Sequence, residues 1–222
     1  MLSDYYTHKP TYEKISDGRL NAIQKLIPRR RPLTILDIGC GSGTLGNLLK
    51  SDTDISVFGV DISSRAVEAA QSVLDGAWVV DIESPGPWPR EIGDRRYDLV
   101  LLSEVLEHLF SPEHLLRTAR RFLKDEGTII ITVPNILFWR NRLRILLGHF
   151  EYEEVGLMDR GHIHFFSWHS FNELFRQESF FIEAEAHVVP TRILRPLARL
   201  LPGLVARQFA VRIKPISKIP SP

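Results

Sequence analysis

An apolar stretch that runs into an acidic residue and three alternating glycines, at positions 35–43, constrains the fold of this chain more than any other feature. The apolar residues predict a buried strand over 34–40. Gly39, Gly41 and Gly43 then predict a tight turn whose backbone N–H groups can approach a ligand, because glycine has no Cβ in the way. The segment 41–46 also fits the dinucleotide pattern G-x-G-x-x-G, so the glycines alone leave the ligand open.

Three further apolar runs end in polar residues. The first ends in Asp61, about twenty residues after the glycine turn, and the next two end in Asp81 and in Ser103–Glu104. Ligands of open α/β sheets bind at the carboxyl ends of the strands, and an acidic residue at the end of the second strand holds the ribose hydroxyls there. Four polar strand ends therefore predict a ligand site at one edge of the sheet.

Strands and helices alternate along the rest of the chain. Helices are predicted over 11–27, from about 44, and over 63–74, 111–123 and 167–178, and later strands over 128–133, 180–189 and 209–213. Alternation of this kind predicts an α/β, doubly wound sheet. A length of 222 residues with 44% hydrophobic content favours one domain over 1–222. Two connections, 135–166 and 191–207, are longer than ordinary loops and predict insertions that carry specificity.

Composition excludes several classes of protein. The formal net charge is +1 and basic residues are dispersed, so nucleic acid is not an expected partner. The single cysteine, Cys40, cannot form an internal disulfide, which fits a reducing compartment. The start of the chain is polar and no apolar run reaches the roughly 20 residues that span a bilayer. We therefore expect a soluble, cytoplasmic protein; its oligomeric state is left open.

These motifs resemble those of the class I S-adenosylmethionine-dependent methyltransferases. The residues that carry the resemblance are the segments 36–43, 59–61 and 97–109 with Asp81. The resemblance implies a Rossmann-like, three-layer α/β/α fold whose seven-stranded sheet has an antiparallel last strand. It also implies an enzyme that uses S-adenosylmethionine and releases S-adenosylhomocysteine. A nicotinamide dehydrogenase is the competing class, and the Glu-x-x-Glu-His element at 104–108 is unexplained by it.

The resemblance assigns cofactor roles to residues at the strand ends. Asp37 braces the glycine turn, directly or through water, Asp61 accepts hydrogen bonds from the ribose, and Asp81 accepts one from the adenine amino group. The remaining predicted contacts fall into three groups. The turn contributes Gly39, Gly41 and Gly43, and the apolar faces for adenine are Ile62 and Ile82. The methionine side of the pocket is closed by Ser103, Glu104 and Val105. The alternatives are that Asp61 caps a helix and that Asp81 only makes a turn. Residues 1–30 are expected to form a leading helix and a lid with Tyr5, Tyr6 and Tyr12.

The predicted catalytic residues are His108, Glu107 and His164. Glu104, Glu107 and His108 have the i, i+3, i+4 spacing that shares one face of a helix. Histidine titrates near neutral pH, so His108 is the first candidate for the general base; the alternative is that Glu107 and His108 only shape the pocket.

If residues 162–164 are extended, His162 and His164 face the same side. With Glu104, Glu107 and His108 they could form a divalent-metal site, as in some quinone and small-RNA methyltransferases that this element resembles. The preferred interpretation has no metal: one of the two histidines packs the loop and the other contacts the acceptor.

The two insertions are basic and amphipathic. Arg140 and Arg144, and likewise Arg192, Arg195 and Arg199, recur at helical spacing among leucines and isoleucines. Such helices lie on anionic membranes or bind partners, although a solvated arginine face is the simpler alternative. We expect a hydroxylated acceptor that is a small molecule, lipid-linked or a glycan, with peripheral contact at the inner face of the membrane.

The nearest relatives by resemblance are ubiquinone-type O-methyltransferases and the methyltransferase-like proteins linked to methionine biosynthesis. The second resemblance, through 133–135, 139–140 and 163–165, implies an alternative function. The chain would then be a cofactor-binding partner subunit that assists another enzyme and turns over little itself.

Overall fold

The computed structural model describes residues 15–50, 54–84, 86–153 and 156–216. Its strands are β1 (Leu33–Ile38), β2 (Ile55–Asp61), β3 (Gly76–Val79), β4 (Tyr97–Ser103), β5 (Leu123–Pro134), β6 (Phe180–Glu185) and β7 (Gln208–Pro215). Its helices are α1 (Asp17–Leu26), α2 (Thr44–Leu49), α3 (Ser64–Gln71), α4 (Arg90–Gly93), α5 (Pro112–Arg121), α6 (Trp139–Leu146), α7 (Trp168–Gln177), α8 (Arg195–Leu200) and α9 (Pro202–Val205). Two single turns of 3₁₀ helix span Leu106–His108 and Arg192–Leu194.

The seven strands form one mixed sheet in the order β3-β2-β1-β4-β5-β7-β6. The strands β1 to β5 pair in parallel, whereas β7 runs antiparallel between β5 and β6. This confirms the predicted Rossmann-like sheet with an antiparallel last strand. The chain order reverses between β1 and β4, which is the position where a doubly wound sheet opens a crevice at its carboxyl edge.

Helices cover both faces of the sheet because the central strands are apolar on both faces. Side chains alternate across a strand, so Leu36 and Ile38 of β1 pack into one apolar cluster and Leu33 and Ile35 into the other. The first cluster contains residues of α4, α5 and α7, and the second contains residues of α1, α2 and α3. The result is the expected three-layer arrangement.

Several predicted boundaries were wrong. The helix predicted over 63–74 ends at Gln71, and the sixth strand ends at Glu185 instead of 189. Residues 104–108 do not form the predicted helix: Glu104 has a φ of +59° and only one 3₁₀ turn follows it. Pro196 lies in the first turn of α8, which begins at Arg195, and Pro202 begins α9, so the basic insertion at 191–207 is divided.

The predicted lid belongs to the start of the chain. Its tyrosines, Tyr5, Tyr6 and Tyr12, lie outside the described residues. Within the described part of the chain, no helix has both the length and the apolar character that crossing a bilayer requires.

Candidate functional site

A cleft of about 1670 Å³ opens at the carboxyl ends of the parallel strands. The predicted site residues that line it are Asp37, Gly39, Gly41, Asp61, Ile62, Asp81, Ile82, Ser103, Glu104, Val105 and His108. Gly43, Glu107 and His164 are not part of its lining. Most of the predicted site residues therefore lie together at one edge of the sheet, because the carboxyl ends of parallel strands meet there.

The glycine turn has backbone angles that favour glycine. Gly39, Gly41 and Gly43 all have positive φ, between 54° and 78°. A Cβ on Gly39 would lie 2.6 Å from a methyl carbon of Val105, whereas one on Gly41 would meet nothing within 4 Å. The turn thus packs tightly against the loop after β4 at Gly39 and leaves Gly41 open to the cleft.

Asp61 at the end of β2 braces this turn. Its Oδ2 accepts a hydrogen bond from the Gly41 N–H at 2.9 Å, and its Oδ1 accepts one from the Ser63 N–H at 2.9 Å. Each carboxylate oxygen has a second lone pair, so the group can accept two further hydrogen bonds from a ligand. Asp61 is not the helix cap of the alternative prediction: the N-cap residue of α3 is Ser63, whose hydroxyl accepts a hydrogen bond from the Ala66 N–H.

Of the two braces predicted for Asp37, direct or through water, the direct one is not formed: among the described residues its side chain makes no hydrogen bond to the glycine turn. Its side chain is buried, and its Oδ2 has no hydrogen-bond partner among the described residues. Burial raises the pKa of Asp37 to about 7, with a smaller contribution from the charge of Asp61 and an opposing one from Arg19. A buried acceptor without a partner is costly, so this atom is suited to a donor that a ligand brings.

Arg19 of α1 is the site residue that the sequence did not reveal. It lines the cleft, its Nη1 lies 3.7 Å from Oε2 of Glu104, and its buried Nε has no hydrogen-bond partner among the described residues. Arg19 therefore places an unused donor in the same cleft as the unused acceptor of Asp37. The only sequence signal in this segment was helical periodicity, which gives no information about where an arginine side chain ends.

Asp37→Asn is expected to stabilise the protein, free of ligand, above pH 7. The native state holds a proton on Asp37 that the unfolded state releases, so stability falls as the pH rises from 3.8 to about 7. Asparagine does not titrate and so removes this loss of folding free energy, which is at most about 4 kcal/mol at pH 8. Urea denaturation at pH 5 and pH 8 measures it.

The matched control for this experiment is Asp94→Asn, which removes an exposed carboxylate. We expect it to follow the wild type at both pH values. A stability difference between Asp37→Asn and the wild type that is the same at pH 5 and pH 8 would contradict the prediction.

Glu104 is held in a strained conformation by a hydrogen-bond network. Its φ of +59° is rare for a residue with a side chain. Its carboxylate accepts hydrogen bonds from Thr132 Oγ1 at 3.0 Å and Gln208 Nε2 at 2.9 Å. Burial raises the pKa of Glu104, opposed first by Arg19. Strain of this kind persists where the surroundings fix it, and here β5, β7 and α1 fix it at the cleft.

His108 is oriented by the long insertion. Its Nδ1 lies 2.9 Å from the carbonyl oxygen of Gly161, and since a carbonyl can only accept, Nδ1 carries the proton. The basic lone pair is therefore on Nε2. The backbone oxygen of Glu107 accepts hydrogen bonds from the N–H groups of Ile163 and His164, which fixes the insertion beside the 3₁₀ turn. The pocket-shaping role is thus carried by the Glu107 backbone and by Nδ1 of His108.

Glu107, His108 and His162 form a compact cluster. One ligand atom from each lies within 4.8 Å of the other two, and the two imidazole rings are 4.7 Å apart in an edge-to-face arrangement. Both carboxyl oxygens of Glu107 are buried without a hydrogen-bond partner among the described residues. Burial raises the pKa of Glu107 well above its ordinary value, and the charge of Glu104 adds to the shift.

The expectation that His162 and His164 act from the same side was wrong. His162 packs against His108, whereas His164 has its Nε2 3.4 Å from the Phe110 oxygen and stacks on Phe166. The hydrogen bonds to Glu107 bend the segment, so the alternation of an extended strand does not apply.

Asp81 forms a turn and also lines the cleft. Its Oδ1 accepts a hydrogen bond from the Glu83 N–H at 3.1 Å, which is the turn-forming alternative. The side chain also lines the cleft beside Ile82. Glu83 in turn accepts a hydrogen bond from the Phe110 N–H and so ties this loop to the loop after β4.

The fold and cleft are those of a class I methyltransferase. The methyltransferase-domain family model matches residues 9–184, and the chain belongs to this family. A ubiquinone biosynthesis O-methyltransferase of Nitrosomonas europaea is 29% identical over 136 residues, which are 57% of this chain and 54% of that protein. A 27-O-demethylrifamycin SV methyltransferase of Amycolatopsis mediterranei is 28% identical over 54% of this chain and 46% of its own length. The chain thus spans about half the length of these curated relatives.

Solved structures show the same fold at low identity. An S-adenosylmethionine-dependent methyltransferase of Thermotoga maritima matches with a TM-score of 0.62 at 21% identity, over 89% of this chain and 87% of that one. Magnesium protoporphyrin IX methyltransferase of Synechocystis with bound S-adenosylhomocysteine gives a TM-score of 0.57 at 17% identity, over 84% and 75%. The predicted family resemblance and fold are therefore confirmed.

Proposed function

We propose that this protein is an S-adenosylmethionine-dependent methyltransferase that acts on a hydroxyl group of a small-molecule acceptor. One observation carries the proposal. Asp37 and Arg19 line the same cleft as the glycine turn that Asp61 braces. Among the described residues, one carboxyl oxygen of Asp37 and one guanidinium nitrogen of Arg19 have no hydrogen-bond partner. These groups match an ammonium, a carboxylate and a ribose, which the cofactor carries together.

The residues of the cleft fit this cofactor better than a nicotinamide dinucleotide. Asp37, two residues before Gly39, lines the cleft with an unpartnered acceptor oxygen, judged among the described residues, which suits an ammonium group better than a pyrophosphate. Ile62 and Ile82 supply apolar surface for adenine. S-adenosylmethionine supplies, when bound, a methyl group on a positively charged sulfur.

His108 is the proposed general base. Its Nε2 lone pair, fixed by the Nδ1 hydrogen bond to Gly161, takes the proton of the acceptor hydroxyl. Its imidazole also lines the cleft, so it can reach a bound molecule. Burial raises the pKa of the neighbouring Glu107, which disfavours a negative charge beside the base.

The acceptor half of the cleft favours a molecule with an apolar part. The cleft of about 1670 Å³ exceeds the roughly 300–1,000 Å³ of a single small-ligand site, so it has room for two ligands. Phe138, Trp139, Leu143 and Leu147 line the side contributed by the long insertion. This lining supports a lipid-linked acceptor over a glycan.

Calorimetry with S-adenosylhomocysteine tests the cofactor site, with NAD as the comparison ligand. We expect saturable binding of the first and none of the second; the reverse result would overturn the proposal. Product detection with a panel of hydroxylated acceptors then tests turnover. Binding without methylation of any acceptor, together with a co-purifying enzyme, would favour the partner-subunit alternative.

Metal-assisted transfer is a second candidate, favoured by the Glu107–His108–His162 cluster. We nevertheless expect turnover to survive EDTA, because burial raises the pKa of Glu107 and so disfavours the carboxylate form that metal binding requires. The metal candidate requires the opposite result, with loss of turnover.

A thermal-shift titration with Mn²⁺ separates these outcomes without turnover. A bound ion at a hundred times its Kd would stabilise the fold by about 2.7 kcal/mol, and His162→Ala would remove that gain. We expect no gain in wild type. The control is His169→Ala, which removes an exposed histidine of α7.

A further inference from the structure

We propose that α6 and the segment 193–201 form a surface that docks on an anionic lipid bilayer. This inference rests on the proposed function in one respect: a docked protein would receive a lipid-linked acceptor into its cleft. Binding to the bilayer itself does not require turnover. We call this the basic apolar surface; it consists of exposed side chains on α6 and on residues 193–201.

Two matching apolar stripes make up this surface. Trp139, Leu143, Leu146 and Leu147 on α6 have the spacing i, i+4, i+7, i+8, and Ile193, Leu197, Leu200 and Leu201 repeat it. All eight are exposed, and Leu146, Ile193 and Leu200 are exposed by 82%, 88% and 79%. Large aliphatic side chains exposed in contiguous helical stripes mark an interaction site.

Hydrogen bonds hold α6 against α9, the helix that directly follows the second stripe. Arg142 on α6 donates from Nη2 to the Gly203 oxygen at 3.3 Å. Asn135 donates from Nδ2 to the oxygens of Gly203 and Ala206, at 3.1 and 2.8 Å. The start of the long insertion and α6 are therefore fixed against α9, which begins at the residue after Leu201, where the second stripe ends.

Charge selects an anionic bilayer as the occupant. The stretches 135–150 and 186–207 contain seven of the 28 lysines and arginines of the chain and none of its 27 acidic residues. Arg195 and Arg199 are exposed and lie one helical turn apart in the second stripe. Apolar stripes flanked by arginines are typical of helices that lie in the membrane interface, where the headgroups carry the complementary charge.

The surface is continuous with the cleft. Trp139, Leu143 and Leu147 belong to the α6 stripe and also line the acceptor side of the cleft. An acceptor with a lipid tail could therefore pass from the bilayer into the site along apolar side chains, without crossing water.

Vesicle co-sedimentation tests the inference. The probes are phosphatidylcholine vesicles and phosphatidylcholine vesicles that contain about one quarter phosphatidylglycerol. We expect binding to the anionic vesicles that weakens as salt is added. We expect Arg195→Glu/Arg199→Glu and, separately, Leu146→Glu/Leu200→Glu to lower the partition coefficient by about tenfold or more.

Matched variants elsewhere on the surface complete the experiment. Arg90→Glu/Arg121→Glu makes the same charge change on α4 and α5, and Phe181→Glu introduces an acid at an exposed apolar position of β6. Both should bind vesicles as the wild type does. Equal losses in these controls, equal binding to neutral vesicles, or no vesicle binding at low salt would overturn the inference.

Sedimentation velocity distinguishes a bilayer from a second copy of the chain as the occupant of this surface. A dimer that Leu146→Glu/Leu200→Glu dissociates, with no vesicle binding, would overturn the proposal. Calorimetry with S-adenosylhomocysteine on every variant tests the cofactor site independently. Retained cofactor binding with lost vesicle binding is the expected outcome for both surface variants.

Discussion

Asp61→Ala is expected to raise the Kd for S-adenosylhomocysteine by at least about a hundredfold. The carboxylate braces the turn through the N–H groups of Gly41 and Ser63 and has two lone pairs left for the ribose. Hydrogen bonds to a charged group contribute roughly 1.5–3 kcal/mol each, so losing two ligand bonds accounts for this magnitude. Isothermal titration calorimetry measures the change.

Two further variants distinguish ligand binding from damage to the turn. Asp61→Asn retains an oxygen acceptor and should lose less affinity than alanine. Asp81→Ala should cost less than about tenfold, because Asp81 is exposed and bonds its own turn. Urea denaturation of each variant reports on folding. A well-folded Asp61→Ala protein with a Kd within threefold of wild type would refute the assignment.

His108→Asn is expected to lower kcat by roughly 10²- to 10⁴-fold, the usual contribution of a general base. The asparagine amide can still donate a hydrogen bond to the Gly161 oxygen, as Nδ1 of histidine does, but it has no basic nitrogen in place of Nε2. The affinity for S-adenosylhomocysteine should stay within about threefold of wild type. Single-turnover rates with an identified acceptor measure the effect.

The choice of asparagine separates catalysis from pocket shape. If His108 served only to hold the insertion, His108→Asn would keep its rate and His108→Ala would lose it. The control is His169→Gln, an exposed histidine substitution on α7 that should leave the rate unchanged.

The strands and the cofactor edge could be predicted because their signals are local. Continuous apolar runs mark strands that are buried on both faces, and glycines with positive φ mark the turn that follows β1. Parallel pairing then brings Asp37, Asp61 and Ser103 to one edge whatever the details of the helices.

The histidine cluster could not be predicted in the same way. Which of His162 and His164 joins His108 depends on the hydrogen bonds that bend residues 161–164 over the Glu107 oxygen. Those bonds join residues more than fifty positions apart, and the spacing of two histidines contains no information about them. The conformation of Glu104 was missed for the same reason, since Thr132 and Gln208 on other strands hold it.

The sequence by itself determined the family, the Rossmann-like sheet and the edge at which the site lies, because strand period, turn glycines and strand-end carboxylates act within a few residues of each other. Only the tertiary structure decided that Arg19 shares the cleft with Asp37, that Asp61 and not Asp37 bonds to the glycine turn, and that two distant basic stripes form one surface. Each of these depends on how helices and insertions pack on the sheet, and that packing is set by contacts between residues far apart in the chain.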